Sequence, residues 1–473
     1  MPPRSDLARL RLEREIYARV VATMDYPEAS VLVHDIAGSR SRRFTPSELR
    51  DRWHSAMERA PENGAFNVYI HVPYCKSICD FCNYKRLHVA SRAGLDEFVA
   101  SIEAEVRLFA PAFRGVKFGA LFVGGGTPSV LSPSQLDRLF DTLFSELSFH
   151  SGAQKNFEFD PMVMTPERHQ VLSRHGFSRF SFGIQSVDVG INRLHNRGAQ
   201  TRSHIDAQFE MLKSHGADHT NVDFLLGLAG TEPEKMLAEI EEVMAQHAPA
   251  EISVYFLFPT QEYVDAHFDG DYAKFRAFLE PFERLVPTVL RELAEKYDYR
   301  IGGDGKHIVV LTSSAPRHTR GADPKLFYCD SPANAHAPLY VLGFGDSARS
   351  RIFGELLYHA QYDSPGSEER YVGVETTLDD EVFTYLSFLL RDGDVLDRSL
   401  FRRTFGVDPV DALARPLRKL SSLKVVTVTD SAVRFVAQSR EERIRDLLFF
   451  LPKNRREALD GLLSRGPAHV AAG

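Results

Sequence analysis

No run of eighteen apolar residues occurs in the 473-residue chain, so no segment reads as a membrane-spanning helix. Positive charge is in deficit: the net charge of −7 gives no global attraction for nucleic acid or anionic lipid. Cysteine is scarce. Four residues cannot make a disulfide scaffold, and three of the four fall between positions 75 and 82. The opening stretch MPPRSDLARLRLEREIYARVV lacks the charged cap and apolar block of a secretory signal, which gives the expectation of a cytoplasmic protein. What remains is ordinary globular composition, 43% hydrophobic and 26% charged. At roughly 150 residues per domain, the length implies two to four structural units.

From Phe66 onward, apolar strand-like runs alternate with helical patterns, the signature of a parallel α/β architecture. The strand candidates are 67–72, 120–123, 157–159, 179–184, 221–226 and 252–258. Helix starts follow them, for example Ser132 with Gln135 and Thr231 with Glu234, both capping-box patterns. After Ser132, the residues Leu136, Leu139, Phe140, Leu143 and Phe144 share one helical face. Six such units predict a partial (β/α)6 barrel of the TIM type, with chemistry on the loops after the strands.

Residues 1–64 read as a helical extension, 65–300 as the core, 301–378 as a barrel-closing extension and 379–473 as a winged-helix-like domain. Arg40, Arg42 and Arg43 in the first segment suit a solvated face, with an anionic contact as the alternative. Arg415, Arg418 and Lys419 near the C-terminus read the same way, because Pro416 interrupts their helix and the chain is acidic. No nucleic-acid partner and no membrane partner are expected.

The stretch Tyr69-Ile-His-Val-Pro-Tyr-Cys75-Lys-Ser-Ile-Cys79-Asp-Phe-Cys82 puts three thiols on the loop after the first strand. A structural zinc site or an electron-transfer cluster takes four protein ligands. Three thiolates on a 4Fe-4S cluster leave one iron open to an exogenous ligand, such as the amino and carboxylate groups of S-adenosylmethionine. Cys329 stands alone and reads as inert.

With this loop the chain resembles the radical S-adenosylmethionine superfamily, and within it the oxygen-independent coproporphyrinogen III dehydrogenase-like (HemN-like) branch. The likeness is strong over about 65–270 and weak over about 340–440. It implies a 4Fe-4S cluster on Cys75, Cys79 and Cys82, one or two molecules of S-adenosylmethionine, a small-molecule substrate, and an electron donor of the flavodoxin or ferredoxin type.

It also implies cofactor roles for particular residues. Gly124-Gly125-Gly126-Thr127-Pro128 is a tight turn by itself and resembles the family's GGGTP motif, which binds the methionine amino group. Tyr69 matches the tyrosine that lies against the cofactor. Glu158, a carboxylate among aromatics that needs a cation, matches the family's E-x-D-P motif and would take the ammonium. Arg197 aligns with the arginine that pairs with the cofactor carboxylate, and Gln185 and Asp223 with groups that bond the ribose hydroxyls. Taken singly each could be structural; together they sit on successive strand ends.

The likeness also has departures. The coproporphyrinogen enzymes carry a further cysteine where Tyr84 stands. The GLP turn reads Gly227-Leu228-Ala229-Gly230, and the late G-x-G-A-x-S motif reads Gly343-Phe344-Gly345-Asp346-Ser347-Ala348. The first expectation is therefore class C-type methyl or methylene transfer to an unactivated carbon. The alternatives are oxidative decarboxylation of coproporphyrinogen III in porphyrin biosynthesis, with the N-terminal arginines as an anion clamp, and a non-catalytic heme chaperone.

Overall fold

The computed structural model describes residues 41–89, 91–303, 308–315, 336–361, 370–436 and 439–452, and six positions between 7 and 17. Arg40 and Cys329 lie outside the described residues. The chain divides into two compact units. One comprises Asn67–Pro324 with Gly343–Ala348; the other comprises Met1–Phe66, Lys325–Leu342 and Arg349–Gly473.

The first unit is built on six parallel strands hydrogen-bonded in chain order: β1 Ala65–Val72, β2 Lys117–Gly125, β3 Ser148–Phe159, β4 Arg179–Gln185, β5 His219–Leu226 and β6 Glu251–Phe256. The strands β7 Tyr299–Gly303 and β8 Ile308–Ser313 continue the sheet antiparallel in the order β6-β8-β7. The sheet stays open. All six predicted strands are present. The largest difference is β3, which reaches back to Ser148 because its first half is exposed and polar and so carries no apolar alternation.

Helices α1 Arg92–Phe109, α2 Pro133–Glu146, α3 Pro166–Arg174, α4 Arg202–Ser214, α5 Pro233–His247 and α6 Tyr272–Tyr297 follow the six strands in turn. One strand face supplies the core under these helices: Val68, Ile70, Val123, Phe157, Phe182, Ile184, Val222, Phe224, Ile252 and Val254 are all buried. Each such side chain stabilises the fold by about 1.5–3 kcal/mol. The opposite face is polar, with His71, Glu158, Ser181, Asn221, Asp223 and Ser253 at alternating positions. A packed parallel sheet is apolar on both faces, so this alternation marks a face kept for chemistry.

Two local expectations need correction. Ser132 caps α2 in a true capping box, but α5 starts at Pro233 after Glu232; the Thr231 hydroxyl instead donates to the Leu228 carbonyl at 2.6 Å. Phe144 is only half-buried, at the edge of the α2 apolar face, where Lys155 Nζ lies 4.0 Å from its ring centroid.

The second unit contains the helix Pro46–Arg59, capped by Thr45, with Leu49, Trp53 and Ala56 buried. It also holds an antiparallel sheet of Arg42–Phe44, Tyr371–Glu375, Leu356–Ala360, Arg349–Ile352 and Leu339–Phe344. Trp53 Nε1 donates to the Tyr358 hydroxyl at 2.6 Å in its core. Arg42 pairs with Glu48 at 2.6 Å and Glu375 at 3.2 Å, and its guanidinium sits 3.8 Å from the Phe44 ring centroid. Its charge is already met, so it is not a free anion clamp.

Further on, Leu378–Asp392, Val395–Asp397, Arg398–Phe405, Pro409–Ala412, Ala414–Ser422, Val426–Val428 and Ala432–Phe435 follow in a helix, strand, helix, helix, helix, strand, strand order, with a three-stranded antiparallel sheet, a winged-helix pattern. Pro416 does not break its helix. It is the third residue of Ala414–Ser422, where the backbone N–H has no helical partner to lose. Among the described residues no helix is long and apolar enough to cross a membrane.

Candidate active site

The three clustered cysteines are free thiols on the loop after β1, Cys75 buried and Cys79 and Cys82 partly so. Burial pushes the Cys75 and Cys79 thiols up. The Thr127 hydroxyl, donating to Cys75 Sγ at 3.4 Å, opposes this at one, and the Arg197 guanidinium opposes it at the other. Iron binding would have to drive their deprotonation, because ligands bind as thiolates. The Gly-Gly-Gly turn at the end of β2 is short of space. A Cβ on Gly126 would lie 2.9 Å from Cys75 Sγ and from the backbone of Pro73 and Tyr74, and one on Gly124 would overlap the Glu158 carboxylate. Gly126→Ala is expected to lose about 1–3 kcal/mol of stability, as overpacked sites do, and to incorporate less iron on reconstitution; thermal unfolding and iron analysis check both.

Glu158 ends β3 beside this turn and accepts from Gly125 N at 3.2 Å. Desolvation, reinforced by the nearby Asp223 charge, pushes its carboxyl up to about 8. Among the described residues no cationic side chain faces it. Asp223, near the end of β5, is raised to about 6 by burial, held back by the Asn221 amide at 2.8 Å and by the charge of Arg197. Gln185 ends β4 in the left-handed region (φ 63°), at a bulge opposite β5, and its amide folds back over Gly183, where a Cβ would not fit. Such strain persists where the surroundings hold it. Arg197 donates from Nη2 to the Gly183 carbonyl at 2.5 Å and sits against Cys79; its Nε is buried with no partner. Tyr69 bonds His71 Nδ1 through its hydroxyl at 2.8 Å.

Every site residue expected from the sequence therefore lies at the C-terminal ends of β1 to β5 or on the loops that follow. The thiols, the carboxyl and the guanidinium fit a cluster with an amino acid chelated to it: an acid with no cationic partner among the described residues and a half-satisfied cation stand around the thiol loop and the glycine turn packed on it.

Three groups went unremarked in the sequence. His71, two residues from Tyr69 on the same strand face, could have been found by strand parity; burial lowers its pKa. Asn221, spaced likewise from Asp223, bonds Ser181 and Asp223, each at 2.8 Å. Lys85 had no local signal. Its Nζ reaches the buried Asp346 carboxylate at 3.0 Å, joining the cysteine loop to the turn where the family motif has alanine.

Residues 69–243 match the family model described as the radical SAM superfamily, and a radical SAM domain is what this fold and site define. The curated relatives include the oxygen-independent coproporphyrinogen III oxidase of Escherichia coli, 30% identical over 200 residues, covering 42% of this chain and 43% of the relative. They also include the heme chaperone HemW of Mycobacterium tuberculosis, 27% identical over 198 residues, covering 41% of this chain and 49% of the relative. These matches thus span less than half of the relatives' own lengths. The solved structure of the Escherichia coli coproporphyrinogen III oxidase HemN superposes with a TM-score of 0.67 at 23% identity, over 86% of this chain and 94% of that one, and shows the same fold. The chain carries a radical SAM domain over residues 69–243 and is similar there to proteins of the HemN-like branch. That superfamily works with a 4Fe-4S cluster and S-adenosylmethionine.

Proposed function

We propose that the chain is an enzyme that cleaves S-adenosylmethionine reductively at a 4Fe-4S cluster on Cys75, Cys79 and Cys82, and modifies an unactivated carbon of a small organic substrate. One observation carries this reading: the Glu158 carboxyl, which no cationic side chain meets among the described residues, sits at the glycine turn packed on Cys75, and the half-satisfied Arg197 guanidinium sits by Cys79, an acid and a cation for the two ends of an amino acid. When bound, the cluster and cofactor supply one-electron cleavage of the sulfonium and a carbon radical that abstracts hydrogen.

The chain's own residues bind and orient. Glu158 takes the ammonium, and Arg197 takes the carboxylate through its planar fork. Asp223, raised to about 6 by burial, accepts from the ribose hydroxyls together with Gln185. Tyr69 walls the pocket, and Gly125, Gly126 and Thr127 bring the backbone close to it. A reduced flavodoxin or ferredoxin-type protein is the proposed electron donor.

Among transformations, oxidative decarboxylation of a coproporphyrinogen-type propionate is supported by the coproporphyrinogen III oxidases among the relatives. Methyl or methylene transfer rests on the departures at Tyr84 and Asp346, and none of these relatives supports it. The test is anaerobic reconstitution, reduction and incubation with S-adenosylmethionine and coproporphyrinogen III. Formation of 5'-deoxyadenosine with carbon dioxide supports decarboxylation; S-adenosylhomocysteine and a methylated product would replace it with transfer. An intact reduced cluster that cleaves nothing, in a protein that binds heme stably, would favour the chaperone.

A further inference from the structure

Asp80 lies between two of the cluster cysteines, and both of its carboxylate oxygens are engaged. Oδ1 is 3.0 Å from His195 Nδ1, and Oδ2 is 2.7 Å from His267 Nε2. His195 is fully buried, and its other nitrogen, Nε2, is 3.0 Å from the Ala229 carbonyl. Both ring nitrogens therefore face acceptors. The rings are fixed in turn: His195 stacks on Tyr263 with centroids 5.6 Å apart, His267 lies 4.6 Å from the same ring, and Ala229 N donates to the Tyr263 hydroxyl at 2.7 Å. Three segments meet at one carboxylate: the cysteine loop, the stretch after the helix Val189–Leu194, and the helix Gln261–Phe268.

The placement of the neighbouring residues gives this network its meaning. Cys79 precedes Asp80, Arg197 follows His195 by two residues, and the Arg197 guanidinium lies near enough to Cys79 to favour its thiolate. The same two segments thus meet twice, bonded through Asp80 and His195 and adjacent at Cys79 and Arg197. The cysteine loop has little regular structure between Cys75 and Leu87 and loses conformational entropy when it is ordered. Charge-assisted bonds to rings already locked by packing oppose that loss at one chosen point.

We propose that Asp80 is a positioning residue: through His195 and His267 it holds Cys79 against Arg197, and so sets where the cofactor's carboxylate end must dock relative to the cluster. This rests on the cluster-and-cofactor reading above.

The test uses the full-length reconstituted protein and S-adenosylmethionine as the probe. The readout is the cofactor-dependent change in the electron paramagnetic resonance spectrum of the reduced cluster, alongside iron and sulfide content and thermal unfolding of the apoprotein. Asp80→Ala is expected to assemble its cluster but to need about tenfold more cofactor for the half-maximal change, in the range seen for groups one shell out from a metal. Asp80→Asn, which keeps size and one acceptor, is expected to recover part of that loss. Asp80→Ala combined with His195→Gln should be no worse than the weaker single variant, because both break one coupling.

An unchanged titration in Asp80→Ala overturns the proposal. So do additive effects in the double variant, or a loss no greater than that of Trp53→Phe matched to the same fall in melting temperature. A stoichiometric non-iron metal lost with Asp80 also overturns it, since the ligand atoms of Asp80, His195 and His267 lie within 4.8 Å of one another and would then be a metal site. If the wild type shows no cofactor-dependent change, the cluster-and-cofactor reading fails and takes this proposal with it; failure confined to the variants overturns this proposal alone.

Discussion

Replacing Cys79 with alanine is expected to abolish 5'-deoxyadenosine formation, with a fall of more than about 100-fold. Loss of a mere outer-shell partner costs about 10–100-fold at a metal centre, and a ligand should cost more. Two thiolates cannot hold a cluster that needs three. The apoprotein should be little disturbed, since Cys79 is partly exposed on a loop and its removal opens no core cavity. The measurement is therefore paired: iron content and product formation collapse while the thermal unfolding of the apoprotein stays near that of wild type. A variant that keeps its full iron content and still forms product would show that Cys79 is not a ligand. Burial holds the Cys79 thiol up and the nearby Arg197 guanidinium only partly opposes this, so ligation must supply the rest of the driving force for its deprotonation.

Glu158→Gln is expected to weaken cofactor binding by at least about 100-fold, because leaving one member of a buried pair without its partner costs about 3–5 kcal/mol. The wild type should also show a pH dependence that the variant lacks. With its carboxyl pushed up to about 8 by burial and by Asp223, Glu158 carries a proton in the free protein at neutral pH. An ammonium ligand needs the carboxylate, so docking releases that proton, and affinity rises by about tenfold per pH unit as pH climbs toward 8.

The sign for stability is opposite. A carboxyl whose folded pKa is raised stabilises the fold below its ordinary value of 4.5, and that contribution is lost as pH rises through about 8. Glu158→Gln, neutral throughout, should therefore unfold at a higher temperature than the cofactor-free wild type at pH above 8, even as it binds cofactor more weakly. Isothermal titration across pH 6 to 8 and melting curves at pH 5 and 9 measure the two effects. A flat affinity profile in the wild type would remove Glu158 from the ammonium site.

Much of this was visible before any tertiary structure. The six strands of the core were legible because each alternates an apolar face, buried under helices, with a polar face; β3 was shortened only where its exposed half has no such pattern. The candidate cofactor residues were found by resemblance to the family's motifs, and the periodicity of the strands placed polar side chains near strand ends where a core would be apolar. Misreadings came where local chemistry has two uses. Thr231 has the form of a cap, but its hydroxyl closes the preceding turn. Pro416 has the form of a breaker, but stands in the first helical turn. Arg42 was rightly read as part of a solvated face, but its ion pair with Glu375, hundreds of residues away across a strand pair, is announced by no local pattern.

By itself the sequence determined the parallel α/β core, the three thiols on one loop and the polar residues at the strand ends, because these follow from short-range periodicity and from side-chain chemistry within a few residues. Only the tertiary structure decided which charges stay unpaired. Glu158 is raised because burial desolvates it and Asp223, two strands away, adds its charge; Arg197 is half-satisfied because Gly183 accepts only one of its groups; and Asp80 is anchored because His195 and His267 converge on it. Each of these depends on desolvation and on distances between segments far apart in the chain, which no local pattern encodes.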